Sequence, residues 1–530
     1  TQTGGILSEL DRDFFQEQGV ELAPGPKELM NMQRFYLYLN MTKPGEKLIL
    51  SYSDTNAKGE GISPAYLIGS IRSLYPKLEI EGGAGVRPHK NSINNYCYPE
   101  NPEAGIDLFL EKLVQETEKE HEDILEQADE TDAVFGELYS WYLRNPEYRS
   151  RVQKLVQSAF AGKPEDIISQ SVAKALYGEV SPYSATRLER FAACAFAHFL
   201  QYGMKLTERV EYEFKPMDMG NVMHEALESF AEEVRKRGMK WTELTEQERN
   251  EIADRCLDNI VADYGNTVLK SSARNEYMIE RTRRILRRTV WALQKQLEQG
   301  EFQPEGFEVT FGGGRIDRVD IMEDQNKVYV KVIDYKTGNT SFDLVYLYHG
   351  LQLQLMIYLD GALRVEQKKY PDKEIIPAGV FYYNIKDPMI QEKIDADVEA
   401  VSAGLMKELK MNGLVQADPE LVYRMDSSLG SIPVAFNKDG SFRKNSSVAD
   451  RTQFAVLGRY VRTKIEKIRS SILEGDAEVS PYELGKKNAC TYCPYMTVCG
   501  FDRRLSGYEF RRLKNFSDEE LWKAFDREAE

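Results

Sequence analysis

The sequence predicts a mixed α/β protein made of a short α/β unit, a helical connector and a larger sheet-containing domain. Three observations predict it. Residues within 309–336 and 379–385 alternate like half-buried strands. The segments around them repeat apolar residues every three to four positions, as amphipathic helices do. Near the start, a strand-like run between two helical patterns suits a parallel sheet with covered faces.

Taken in order, residues 1–95 carry an amphipathic stretch from Glu28 to Leu39, a strand from Lys47 to Tyr52 and a helix near Ser63 to Tyr75. Residues 96–180 are strongly charged and helical in pattern, with Asp107 to Thr117 and Val134 to Tyr142 as periodic stretches, and read as a connector. The domain 181–530 opens with Pro182 to Leu200, where Ser184 is placed as an N-cap ahead of Leu188, Phe191 and Ala195. Val309 to Phe311, Gly314 to Met322 and Val328 to Lys336 follow as neighbouring strands, the last two joined as a hairpin by Glu323 to Asn326. Leu351 to Leu363 returns to helix, and Gly379 to Ile385 is a further apolar strand. A long helical tail including Gln453 to Leu473 leads to three close cysteines. There is no internal repeat and no low-complexity tract.

Composition narrows the function classes. At 530 residues and 42% hydrophobic content the chain holds two to four packed domains and is not disordered. It has no apolar run of about 18 residues, and its first residues lack a basic, apolar leader, so a soluble cytoplasmic protein with no membrane partner is expected. Opening on Thr1 without a starting element, it reads as a piece of a longer polypeptide whose missing part lies upstream. A net charge of −16 argues against general nucleic-acid binding but leaves room for a local basic channel. Arg281, Arg283, Arg284, Arg287 and Arg288 lie beside an apolar stripe of Ile285, Leu286, Val290 and Leu293; such a face either tracks a DNA backbone or is a solvated face paired with acids.

The segment Gly314-Arg315-Ile316-Asp317-Arg318-Val319-Asp320 precedes Ile333-Asp334-Tyr335-Lys336-Thr337-Gly338. On a strand Asp334 and Lys336 share one face, and Ile333 and Tyr335 the other. Two carboxylates on adjacent strands can hold a hard divalent cation through oxygen, and a neighbouring ammonium can neutralise charge developing on a phosphate. An isolated Asp-x-Lys is a weak signal. His224 opens a helical pattern in Gly220-Asn221-Val222-Met223-His224-Glu225-Ala226-Leu227-Glu228, where a buried, hydrogen-bonded histidine is the plain alternative, and Gln354 and Tyr358 fall one helical turn apart.

The ordered set resembles the PD-(D/E)XK nucleases of the RecB type, which have a restriction-endonuclease-like α/β fold. The resemblance implies that His224, Asp317 and Asp334, with the backbone carbonyl of Tyr335, bind Mg²⁺ or Mn²⁺. It makes Lys336 catalytic and gives Gln354 and Tyr358 a supporting role, with Gln352 as the rival glutamine. Asp317, Asp334 and Lys336 are all present, as a cleaving enzyme requires and a catalytically dead DNA-binding scaffold does not.

Six cysteines, at 97, 194, 256, 490, 493 and 499, are too few and too uneven for a secreted disulfide framework. Cys490, Cys493 and Cys499 are spaced to share one metal centre. Spacing cannot choose the fourth ligand among Cys97, Cys194, Cys256 and a histidine, and taken alone it favours zinc. Residues 183–196, from Tyr183 through Cys194 to Phe196, together with those three cysteines, look like the four-cysteine iron-sulfur staple of AddB-type nuclease domains. That resemblance implies a structural [4Fe-4S] cluster on Cys194, Cys490, Cys493 and Cys499, with Ala195 where proline is usual. Cys97 and Cys256 remain as buried free thiols by default.

Residues 33–52 are similar to the last motor motif of UvrD-like helicases, implying that 1–95 is the end of an inactivated helicase-like domain. Thr42-Lys43 stands where an active motor has Thr-Arg, and lysine lacks the planar fork that reaches a γ-phosphate. No phosphate-binding G-x-x-x-x-G-K-[ST] loop occurs, so no ATP site is expected in these residues and ATP serves only a larger complex. The whole pattern resembles the C-terminal part of AddB-type proteins, which pair with an AddA-type protein as a heterodimer. Such complexes process double-strand DNA breaks for recombination, the AddB-type member acting on the 5′-ended single strand from unwound duplex ends. A stand-alone iron-sulfur exonuclease of the CRISPR-adaptation type shares the nuclease and cluster motifs, but not the motor-like start.

Overall fold

The computed structural model describes residues 9–20, 22–53, 62–78, 102–103, 105–106, 109–110, 113, 130–159, 167–178, 184–207, 209, 216–263, 272–312, 314–390, 398–503 and 507–529. The chain forms two compact units, Thr1–Ala159 and Phe160–Glu530.

In the first unit the described elements are helices: α1 (Glu9–Glu17), α2 (Pro26–Thr42), α3 (Tyr66–Leu74), α4 (Glu130–Arg144) and α5 (Pro146–Ala159). Helical α2 and α3 match the sequence periodicity. The expected strand Lys47 to Tyr52 does not form, and the described residues of this unit contain no strand. A strand persists only when a neighbour completes its hydrogen bonds. Here Lys47 to Tyr52 are exposed, Ile49 at 75%, with no described strand beside them. Helix α4 closes with α5 over Phe109, Tyr142 and Val152, all fully buried. Phe109 stacks on Phe135 at 4.9 Å, and Tyr142 donates to the Pro102 carbonyl. Of the periodic stretch Asp107 to Thr117, Phe109, Leu110 and Leu113 are described and are helical. Cys97, Pro182 and Tyr183 lie outside the described residues.

The second unit is a six-stranded sheet with helices on both faces. Its order is β1 (Gln303–Phe311), β2 (Gly314–Asp324), β3 (Lys327–Lys336), β4 (Glu374–Asn384), β5 (Asn412–Gln416) and β6 (Val448–Ala449). Pairing is antiparallel from β1 through β3, parallel for β3–β4, antiparallel for β4–β5 and parallel for β5–β6. Gln325 and Asn326 make a two-residue turn between β2 and β3. The strands are longer than the alternating runs, because residues from Gln303 to Phe307 pair across to β2 although polar residues and a proline blur their period.

Helix α6 (Gln170–Tyr177) belongs to this unit and buries Ala173 and Tyr177 in the core below the sheet, although its charged surroundings read as connector. Helix α7 (Ala185–Ala193) starts at Ser184, whose hydroxyl accepts from the Arg187 amide, and buries Leu188 and Phe191. It stops at Cys194, where extended backbone (φ −166°) separates it from the short α8 (Ala195–His198). The long helices α9 (Pro216–Lys236), α10 (Glu246–Asp263) and α11 (Ala273–Glu298) cover one face, burying Met223, Leu227, Phe230, Leu257, Leu286 and Leu293 against Ile333, Tyr335 and Tyr383. The opposite face packs against the short α12 (Leu344–Tyr348) and α13 (Gln354–Lys369), which supplies Leu355 and Leu359. Next along the chain, α14 (Val398–Glu408) and α15 (Pro419–Met425) return to the first core through Met406, Leu421 and Val422. Helix α16 (Arg451–Glu474) completes the opposite core through Phe454, Leu457 and Tyr460. A small sheet of β7 (Tyr482–Leu484), β8 (Lys487–Asn488) and β9 (Arg511–Arg512), the turn-length α17 (Met496–Cys499) and α18 (Asp518–Ala529) finish the chain.

The arginines of α11 are mostly paired. Arg283 reaches Asp258 at 2.7 Å, Arg284 reaches Asp387 at 2.6 Å, Arg287 bonds Asp254, and Arg288 lies over Trp291. This is the solvated, acid-paired face and not a free basic track. Among the described residues no helix is long and apolar enough to cross a membrane.

Candidate active site

The site forms where β2 and β3 end beside α9 and α13. Register places Arg318 opposite Ile333, so Asp317 on β2 lies level with Asp334 on β3. The two strands alternate as their sequence requires: Ile333 and Tyr335 enter the core under α9 to α11, while Asp334 and Lys336 turn to the other face. Asp317 Oδ2 accepts from the Tyr335 amide at 2.7 Å and lies 3.3 Å from His224 Nδ1. Helix α9 brings His224 in by approaching the loop after β3 closely. A Cβ on Gly220 would sit 3.3 Å from Thr337 Oγ1, so glycine keeps that approach open.

A third carboxylate completes the group. Glu308 on β1 lies 3.9 Å from His224 Nδ1 through Oε1, and Oε2 pairs with Arg315 at 2.5 Å. His224, Glu308 and Asp317 each offer a ligand atom within 4.8 Å of the others. Glu308 takes φ +49°, a left-handed conformation uncommon for a non-glycine residue, just after an irregular pairing between Pro304 and Gly306. Strain of this kind is retained where the surroundings fix it, and here it accompanies the candidate ligand cluster.

Burial, then repulsion from Asp334, raises the Asp317 carboxyl well above the usual range. Burial raises Asp334 as well, against the pull of Lys336, whose Nζ is 2.7 Å from Asp334 Oδ2. Burial raises Glu308 although Arg315 opposes it, and burial with the Lys336 charge lowers His224. Close, enclosed carboxylates beside a neutral imidazole are costly to ionise without a compensating cation. The donor set of oxygens plus one ring nitrogen fits a divalent metal of the Mg²⁺ or Mn²⁺ kind.

Lys336 Nζ also donates to Gln354 Oε1 at 2.8 Å, and Gln354 Nε2 donates to the Tyr358 hydroxyl at 2.9 Å. Gln352 instead accepts from the Asp343 amide and donates to the Ser341 carbonyl, so Gln354 is the glutamine that faces the lysine. Glu189 of α7 accepts from the Leu353 and Gln354 amides at 2.7 and 3.0 Å, and burial lifts it to about 7. Neither Glu308 nor Glu189 belongs to a motif in the sequence that would mark it; both come to this place through tertiary contacts.

Behind the sheet, on the face opposite Asp317, Asp320 is fully buried between Arg318 (2.6 Å) and Lys331 (3.0 Å). Burial would raise its pKa, but the two cations outweigh burial and hold it below the ordinary carboxylate range.

The cysteines make a second site. Cys194, Cys490, Cys493 and Cys499 line one apolar cavity with Phe196 and Tyr495, 296 positions of chain separating the first from the second. Tyr495 anchors this end by donating to the Leu206 carbonyl, and the Phe501 amide points at Cys499 Sγ at 3.3 Å. Burial and then the neighbouring thiols push Cys490 up to about 12. Four such thiols ionise together only around a cationic centre, so the set fits a thiolate-ligated metal or iron-sulfur group. Cys256 lies away from it, in the core between α9 and α11.

Residues 182–500 match the family model of the PD-(D/E)XK nuclease superfamily. The chain is 39% identical over 551 aligned positions to a Lachnoclostridium phytofermentans protein named as the B subunit of an ATP-dependent helicase/deoxyribonuclease, with 99% of this chain and 46% of that protein aligned. Proteins of the same name from Clostridium acetobutylicum and Alkaliphilus metalliredigens are 32% and 31% identical, with 99% and 100% of this chain and 46% and 47% of theirs aligned. The chain therefore spans about half the length of the curated relatives it matches.

Proposed function

Because the chain belongs to the PD-(D/E)XK nuclease superfamily, we propose that its second unit is a Mg²⁺-dependent DNA nuclease acting within a two-subunit helicase-nuclease. The observation that carries this reading is the convergence of His224, Glu308 and Asp317 within 4.8 Å, beside an Asp334–Lys336 pair. His224, Glu308, Asp317 and Asp334, with the Tyr335 carbonyl, would hold Mg²⁺ or Mn²⁺. When bound, such a cation supplies Lewis acidity to a phosphate oxygen and to water. Lys336, fixed between Asp334 and Gln354, presents its ammonium to the phosphodiester and offsets the charge that grows there. Gln354 holds that lysine, and Tyr358 holds Gln354.

The names of the relatives support DNA as substrate and a companion protein. On the resemblance to AddB-type proteins, the companion is of the AddA type and drives unwinding with ATP in the cytoplasm. The nuclease then trims the 5′-ended single strand during break processing for recombination. Residues 1–95 are read as the end of an inactivated motor-like domain. Cys194, Cys490, Cys493 and Cys499 would hold a [4Fe-4S] cluster that closes the nuclease domain.

Anaerobically purified protein, incubated with end-labelled single-stranded DNA in Mg²⁺ or in EDTA, tests this reading. Cleavage that appears with Mg²⁺ and stops on chelation is the expected result. DNA that stays intact in Mg²⁺, for the chain alone and with its companion, would overturn it.

A further inference from the structure

Helix α13 brings Gln354 to the catalytic lysine, yet its own N-terminus is uncapped by local sequence. The N-cap residue is Leu353, which has no side-chain acceptor. Orphan amides at a helix start need a partner. They find it 164 residues away, in Glu189 Oε1, which accepts from both Leu353 N and Gln354 N. Gln354 is the first residue of α13, so the same residue whose amide is held by Glu189 holds Lys336 with its side chain.

Glu189 is itself rigidly placed. It lies on α7, whose Leu188 is buried, whose Arg190 donates to Gln201 at 2.8 Å, and whose Ala192 carbonyl accepts from Arg511. Its hydrogen bonds go to the backbone of α13.

We propose that Glu189 is a positioning residue for cleavage, capping α13 from α7 and thereby fixing Gln354 where it holds the Lys336 ammonium. This rests on the nuclease reading above. The two accepted hydrogen bonds are what matter, so a neutral acceptor of the same length serves in its place. Displacement of a positioning group by about 1 Å can cost on the order of 100-fold in rate.

The experiment is single-turnover cleavage of end-labelled single-stranded DNA in Mg²⁺ by the full chain, with DNA affinity measured in EDTA and melting followed separately. Lys336→Ala reports on the nuclease reading: if it cuts as fast as the parent, that reading fails. With Lys336→Ala inactive, Glu189→Ala should slow cleavage roughly 10- to 100-fold with DNA affinity unchanged, and Glu189→Gln should restore the rate to within about threefold. Because Glu189 acts through Gln354, the double variant Glu189→Ala/Gln354→Ala should be no slower than Gln354→Ala alone. A Glu189→Ala rate equal to the parent's, a Glu189→Gln as slow as Glu189→Ala, or losses that multiply in the double variant would overturn the proposal. Should Glu189→Ala fail to fold, Glu189→Met, which keeps the length but has no oxygen acceptor, takes its place: cleavage slowed roughly 10- to 100-fold with DNA affinity unchanged upholds the proposal, and parental cleavage overturns it.

Discussion

Asp317 and Asp320 stand three residues apart on one strand and face opposite sides of the sheet, so replacing each by asparagine should have opposite consequences. Asp320 is fully buried, with Arg318 at 2.6 Å and Lys331 at 3.0 Å, and both cations are themselves nearly inaccessible. Asparagine removes the carboxylate that both buried cations share, which costs about 3–5 kcal/mol when one partner of a buried pair is removed. Asp317 is in the reverse position, since burial and the nearby Asp334 already oppose its charge. Asparagine there keeps an oxygen for the Tyr335 amide and relieves repulsion, so metal-free stability should hold or rise. The same change removes a metal ligand, and with it both cleavage and the stabilisation that Mg²⁺ gives the folded state. Urea melts with and without Mg²⁺, read beside a DNA cleavage assay, separate the two. Parental stability in Asp320→Asn, or a loss in Asp317→Asn as large as that in Asp320→Asn, would refute the reasoning.

Two further outcomes concern His198 and the cysteine cavity. His198 is buried and accepts from Arg187 at 3.1 Å, and burial, then the Arg187 charge, lowers its pKa to about 3. The unfolded chain takes up that proton near pH 6.5 while the folded chain does not, so stability present above that pH should fall by about 1.4 kcal/mol per pH unit as pH drops toward 3. His198→Gln should flatten that limb in melts between pH 7 and 5, and an unchanged slope would contradict it. Cys493→Ala should lose bound iron, expected at about four per chain, and melt earlier. The proposed cluster would close a loop of roughly 300 residues, worth about 5 kcal/mol by analogy with a disulfide. Stoichiometric zinc in anaerobic protein, or an unchanged melt, would contradict this.

How far the sequence could be read depended on whether a residue's neighbours are local. Asp317, Asp334 and Lys336 sit on a hairpin, and Gln354 and Tyr358 one turn apart on one helix, so period groups neighbours within each set, while their roles come from the family resemblance. Choosing Gln354 over Gln352 needed the start of α13, which turns the first toward Lys336 and the second toward Ser341. Glu308 is one glutamate among many, and only the pairing of β1 with β2 and an uncommon backbone conformation bring it to His224. Glu189 lies on an ordinary amphipathic helix, and its acceptor role is set by a contact 164 residues away. The fourth cysteine was open for the same reason, because the fold brings Cys194 to Cys490 while Cys256 is buried elsewhere. Lys47 to Tyr52 shows the converse: local β propensity without a described partner strand leaves no strand.

In the proposed mechanism Lys336 acts on the phosphodiester, whereas His224, Glu308, Asp317 and Asp334 would hold the cation. Single-turnover cleavage by Lys336→Ala, run beside Mn²⁺ binding by calorimetry, tests it most directly. Metal uptake should stay close to the parent's while the cleavage rate falls by about 100-fold or more, the scale of losing one preorganised charge-stabilising group. Parental cleavage by this variant with metal bound would contradict it.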